Sequence, residues 1–203
     1  MKVKTWIDRI TDDDNLWFNA IKLEDGGNYF EAFVCYLKDS AECLKNNFFV
    51  KAALSCSCAA ICIANQGNPI AARQLYLEAA RIYEENADFI IGESIRESLW
   101  SLQEAYEYYL LGVDGDKAEK VYDKALFLAG KVNHFSGEDE IMQRMKLRKK
   151  RASDTMSVTH TNLQASDKIE EEIQKFMRLR KPDPIIDNMI DNTSKNTQGR
   201  QHS

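Results

Sequence analysis

Three stretches of the chain repeat one short pattern. Gly27-Asn28-Tyr29-Phe30-Glu31-Ala32 leads to Tyr36, and Gly67-Asn68-Pro69-Ile70-Ala71-Ala72 leads to Tyr76 and Ala79. Gly115-Asp116-Lys117-Ala118 leads to Tyr122 and Ala125. In every copy the alanine precedes the tyrosine by four residues, and the copies lie 40 and then 46 residues apart. A period in this range marks stacked helix pairs. Two helices approach closely only where a small side chain faces the neighbour, which suits Ala32, Ala72 and Ala118 on the second helix of each pair. The tyrosine one turn on fills the gap between hairpins, and Ala79 or Ala125 seats the following helix. One hairpin cannot bury such a face alone, so hairpins stack.

Composition agrees with helices throughout. Only 9 Gly and 3 Pro occur in 203 residues, and long helices tolerate few of either. A 44% hydrophobic, 29% charged chain is ordinary for a globular domain. The net charge of −5 argues against wholesale nucleic-acid binding, so no nucleic-acid partner is expected. Met1 to Trp6 are not followed by an apolar leader. The apolar run after Lys51 ends at Ala64, short of the roughly 20 residues a membrane-spanning helix needs. The expectation is a cytoplasmic protein.

Periodicity places the elements. A first helix spans about Asp13 to Glu24, with Asp12-Asp13-Asp14 at its start. Gly26-Gly27-Asn28 turns the chain into a second helix, and Asn46-Asn47 turns it again. An Ala- and Cys-rich third helix runs from about Phe49 to Asn65. Pro69 opens a fourth at a position where its missing N–H is tolerated. Gly92 and then Gly112 and Gly115 bound the fifth helix, and the sixth carries Ala118, Val121, Tyr122, Ala125, Leu128 and Ala129. Residues 1–133 thus form the repeat domain. A seventh, basic helix covers 134–151, with Ser136-Gly137-Glu138-Asp139 as its cap. Residues 152–166 are Ser/Thr-rich without apolar period and read as a linker. A short amphipathic helix follows over 167–181, and 182–203 reads as a disordered tail. The expected fold is all-α: a right-handed antiparallel helix-hairpin solenoid of about three pairs plus C-terminal helices.

The turn glycine, aromatic, alanine and tyrosine resemble the tetratricopeptide repeat. They stand at Gly27, Tyr29, Ala32 and Tyr36, at Gly67, Ala72, Tyr76 and Ala79, and at Ala118, Tyr122 and Ala125. The resemblance covers roughly residues 13 to 133. It departs at Asp39, where the later alanine belongs, at Pro69, where an aromatic belongs, and in copy three, whose glycines are displaced. The period exceeds the 34 residues of that family, so the helices are longer. Ala-Ala pairs such as Ala79-Ala80 look more like its soluble attachment protein (SNAP) branch. The resemblance implies a protein-binding adaptor. In the SNAP-like alternative the chain recruits an AAA-type ATPase or a membrane-associated machine.

Register with the repeat puts the first helix of each pair on the concave face. Trp17, Ile21 and Glu24 come from copy one, Ser57, Ile61 and Asn65 from copy two, and Trp100, Gln103 and Glu107 from copy three. This surface holds Trp and apolar groups and almost no Lys or Arg. It lacks the basic clamp of relatives that bind carboxylate tails, and suits an apolar helix or a basic peptide. Core packing is the competing reading of its tryptophans.

Other clusters carry weaker chemistry. Cys35, Cys43, Cys56, Cys58 and Cys62 lack a Cys-x-x-Cys pair, and the histidines are remote, at 134, 160 and 202. Buried cysteine packs as a small hydrophobe, so no metal or cofactor is expected, with a cysteine metal or redox protein as the alternative. Asp114-Gly115-Asp116 starts like a calcium loop, but Ala118 and Lys120 follow where oxygen ligands belong. No phosphate loop or His-Glu-x-x-His is present, and no enzymatic activity is expected.

Arg144, Lys146, Arg148, Lys149, Lys150 and Arg151 place six cations in eight residues. They suit a solvated helix end, an acidic protein or an anionic membrane surface. Without interleaved aromatics, nucleic acid is the weakest reading. Ser153 follows the run, where phosphorylation would oppose such contacts. Ile169, Ile173, Phe176 and Met177 form one stripe that either caps the solenoid or enters a partner's groove.

Overall fold

The computed structural model describes residues 15–131, 137–158 and 167–180. The Asp12–Asp14 start signal, the cap at Ser136, the histidines, residues 159–166 of the linker and the tail from 182 lie outside them. The described residues form eight helices and no strand: α1 (Leu16–Asp25), α2 (Tyr29–Lys45), α3 (Phe49–Asn65), α4 (Pro69–Ile90), α5 (Ile95–Leu111), α6 (Gly115–Ala129), α7 (Gly137–Val158) and α8 (Asp167–Arg180). Among them no helix is long and apolar enough to cross a membrane. From α1 to α6 each helix packs on the next in sequence. Helix α7 lies on α5 and α6, and α8 returns to α2 and α4.

One turn geometry makes the hairpins alike. At the end of α1, Asn28 N–H bonds Leu23 C=O and Gly27 N–H bonds Glu24 C=O. Equivalent bond pairs run from Phe48 and Asn47 to Cys43 and Leu44, from Asn68 and Gly67 to Ile63 and Ala64, and from Asp114 and Val113 to Tyr109 and Leu110. This is the Schellman closure of a helix, which requires a left-handed residue just past the end. Gly27 (φ 76°), Asn47 (φ 59°), Gly67 (φ 81°) and Val113 (φ 64°) occupy that position. Side chains then cap the next helix: Asn68 accepts from Ala71 N–H and Asp114 from Lys117 N–H.

The α4–α5 connection breaks the series, with Glu93 and Ser94 N–H both bonding Ile90 C=O. Helix α4 has 22 residues against 17 in α2, and its following turn spans four residues against three. Those six extra residues account for the change in spacing from 40 to 46.

The repeat-defining alanines Ala32, Ala72, Ala79, Ala118 and Ala125 are all buried, as are Tyr36 and Tyr76. Tyr122 is half-buried against the same core. Small side chains at these points let the helices close up, which is the packing reason for their periodicity. Helix α3, between α2 and α4, buries Ala52, Ala53, Cys56, Ala59, Ala60, Cys62 and Ile63. Helix α7 continues to Val158, past the point at which Ser/Thr composition reads as linker. Ala152 is buried, Met156 packs on the core, and Thr155 Oγ1 bonds Arg151 C=O.

Candidate binding surfaces

The first helix of each hairpin shows a mixed face. Trp17 is half-buried, its ring edge-on to Tyr36 with centroids 5.2 Å apart, and Ile21 packs against the core beside it. Glu24 accepts the Tyr36 hydroxyl at 2.9 Å. Ser57 and Gln103 are buried, and Glu107 is engaged by two arginines. Ile61, Asn65 and Trp100 remain exposed. Leu54, two turns before Ile61, is exposed as well, which the register of the repeat did not single out.

Aromatic contacts beneath that face tie α5 to α4. Ser57, which lies between Leu54 and Ile61 on α3, donates its hydroxyl back to Leu54 C=O at 2.8 Å. Trp100 stands edge-on to Tyr83 at 5.7 Å, Tyr83 stacks on Tyr108 at 5.7 Å, and Tyr108 stacks near Tyr76 at 6.1 Å. Burial dominates these phenols, pushing Tyr76 and Tyr108 up to about 12. Aromatic contacts of this kind fix ring orientation and contribute about 0.5–1.5 kcal/mol each beyond burial. Trp100, 39% exposed, therefore sits on a rigid aromatic base.

The basic helix uses its arginines internally. Arg148 is sandwiched between Glu104 (2.5 Å) and Glu107 (2.7 Å) of α5, with Arg151 on Glu107 and Arg144 on Glu140. Burial disfavours the Arg148 charge, but the hydrogen bonds and charges of Glu104 and Glu107 outweigh it and raise its pKa. Lys146 and Lys149 line a cleft of about 470 Å³ with Tyr106, Tyr122 and Met145. Lys150 faces solvent, as does Ser153. The structure thus splits the six cations: three arginines in ion pairs, three lysines outward or at the cleft rim.

The departure at Asp39 has a local explanation. Its buried carboxylate accepts from Lys51 Nζ at 3.0 Å and Ser55 Oγ at 2.5 Å on α3, and Cys43 Sγ lies at 3.8 Å. A buried carboxylate is tolerated where donors surround it. All five cysteines are free thiols. Cys56 donates to Leu75 C=O, and burial raises the thiols, Cys58 to about 11 and Cys62 to about 12. A thiol held neutral this way is a poor nucleophile and a poor metal ligand. Among the described residues no group of three or more His, Cys, Asp or Glu is placed to hold a metal ion.

Sequence reading missed Glu78. It lies on α4 with 2% exposure, its carboxylate paired with Arg81 at 2.8 Å and with Arg180 of α8. Its burial depends on a helix about a hundred residues later, and no local period reports that. Comparison of the chain with protein-family models, with curated proteins and with solved structures returned no match.

Proposed function

We propose that the chain is a non-enzymatic, cytoplasmic adaptor of the tetratricopeptide-like kind. Its hairpins stack as a right-handed solenoid, and the first helices of the pairs bind a peptide or helix of a partner protein. The observation that carries this reading is the exposed apolar set Leu54, Ile61 and Trp100 on α3 and α5. A rigidly seated, partly exposed tryptophan is the kind of anchor that dominates protein interfaces, and Leu54 and Ile61 add exposed aliphatic groups on α3. Pairing of Arg148 and Arg151 with α5 leaves fewer cations for an anionic surface, so the protein-groove reading is favoured over a SNAP-like membrane role.

The test is affinity capture from cell extract with the full chain and with an Ile61→Glu/Trp100→Ala variant. A protein held by the wild type and lost from the variant, whose helicity is unchanged by circular dichroism, is the expected result. Partners captured equally by both would remove this face from the binding role.

A further inference from the structure

Helix α8 covers a groove on the second helices of the hairpins, α2 and α4. It is built to be a helix: Asp167 and Glu170 stand in its first turn and Arg178 and Arg180 in its last, matching the backbone dipole. Yet 14 residues are marginal as an isolated helix, so docking holds it. Three side chains bury completely: Ile169, Ile173 and Phe176.

The fit is incomplete. A cleft of about 340 Å³ lies along one flank, between Leu16, Val34 and Leu37 and the Glu172–Phe176 turn. Another of about 230 Å³ lies by Ala41, Leu44, Phe49 and Leu179. Leu179 itself is largely exposed.

The polar contact is more specific than the apolar ones. Arg180 pairs with Glu78 on the groove floor and, bidentate at 2.9 Å on both oxygens, with Glu85 at the rim. Among the described residues, the other cation paired with Glu78 is Arg81 of its own helix. Burial works against the Arg180 charge, and its carboxylate partners more than compensate, so its pKa is raised. A helix that reburied Glu78 without bringing a cation would leave its carboxylate with Arg81 alone, which is unfavourable. Any helix that replaces α8 must therefore bring a cation to the same place. In α8 that place is four residues after the buried Phe176.

We propose that the α2–α4 groove is a docking site for an amphipathic helix of a partner protein, with α8 as its resident occupant. The displacing helix carries apolar side chains at i, i+4 and i+7 and an arginine at i+11, the spacing of Ile169, Ile173, Phe176 and Arg180. This site is separate from the α3–α5 face, and the two readings stand or fall independently. The tether makes α8 a competitor: a short linker supplies an effective concentration of the order of millimolar, which sets the apparent Kd an outside helix meets.

The probe is a fluorescein-labelled peptide of residues 167–180, titrated against the full chain by anisotropy. The wild type should bind it only near millimolar concentration. Phe176→Asp in the chain evicts the resident helix and should tighten peptide binding on the order of 100-fold, as the tether's competition is removed. A second variant inserts 20 Gly/Ser residues between 162 and 163 and alters no packed side chain. Lengthening the eight-residue connection to 28 lowers effective concentration, and peptide binding should tighten roughly sixfold. A peptide with Arg180→Gln should bind the Phe176→Asp chain at least about tenfold more weakly, the arginine's preference shrinking when Glu78→Gln is added and vanishing when Glu85→Gln joins it. Ile61→Glu/Trp100→Ala should leave all of this unchanged. If neither variant binds more tightly than the wild type, or if the arginine makes no difference, α8 is a fixed cap and the proposal fails. A wild-type chain that dimerises at micromolar concentration and reverts to monomer with excess peptide would also overturn it, in favour of α8 exchange between two copies.

Discussion

Val113 and Gly112 show how one turn divides its demands. The Schellman closure after α5 puts Val113 at φ 64°, where a β-branched residue is a clear outlier. The left-handed conformation costs a non-glycine residue about 1–2 kcal/mol. Val113 is 59% exposed, so its side chain returns little burial. Val113→Gly should relieve more strain than the entropy it adds, raising stability by about 0.5–1 kcal/mol. A higher urea midpoint with an unchanged m-value is the expected reading. Gly112→Ala should do the opposite. A Cβ there would lie 2.4 and 2.6 Å from Leu77 side-chain atoms and 3.3 Å from Arg73 C=O. Overpacking of this kind costs about 1–3 kcal/mol. The displaced glycines of the third copy thus have a cause. The close approach of α5 to α4 claims glycine at 112, and the left-handed position falls to valine. A sequence shows that glycines are near a turn; which of two steric demands each one meets depends on the neighbouring helix.

At the scale of elements, the basic run of α7 is the instructive case. Charge density alone reads as a surface for solvent or an acidic partner. The partners of Arg148 are Glu104 and Glu107, 44 and 41 residues earlier on α5, beyond any local pattern. Helix register was legible, as the stripes of α2 to α6 place the buried alanines and tyrosines from sequence alone. The pairing of α7 with α5 was not, because the same cations fit a foreign acidic surface as well as an internal one. Arg148→Met should therefore destabilise the molecule by about 1–3 kcal/mol, since it leaves two part-buried carboxylates facing each other. Lys150→Met, at an exposed position of the same helix, should stay within about 0.5 kcal/mol. Thermal melts of the two variants at one ionic strength make the comparison. Equal shifts would mean that the pairing with α5 carries no stability.

Across the whole molecule, the order of hairpins follows from the repeat, whereas the return of α8 does not. Its stripe of Ile169, Ile173 and Phe176 is written the same way for a cap as for a ligand. What the repeat does predict is a core in which thiols and phenols pack among alanines, and that has a consequence for pH. Burial penalises the charged form of these acids, so the folded chain holds their protons longer than the unfolded chain. Cys58 keeps its proton to about pH 11, and Cys62, Tyr76 and Tyr108 to about pH 12. In the unfolded chain cysteine ionises near 8.5 and tyrosine near 10. Between those values the folded state binds more protons, so stability falls as pH rises. The contribution is complete below about pH 8.5 and is lost progressively toward pH 12. Melting temperature should hold steady to about pH 8.5 and then decline, and Cys56→Ala/Cys58→Ala/Cys62→Ala should make the decline between about pH 8.5 and 10 shallower. A thiol reagent at pH 8 should label Cys56 and Cys62 slowly in the native protein and all five cysteines quickly in denaturant. Rapid native labelling of Cys62, or a melting temperature indifferent to pH between 9 and 12, would show that these groups are wetter than their packing implies.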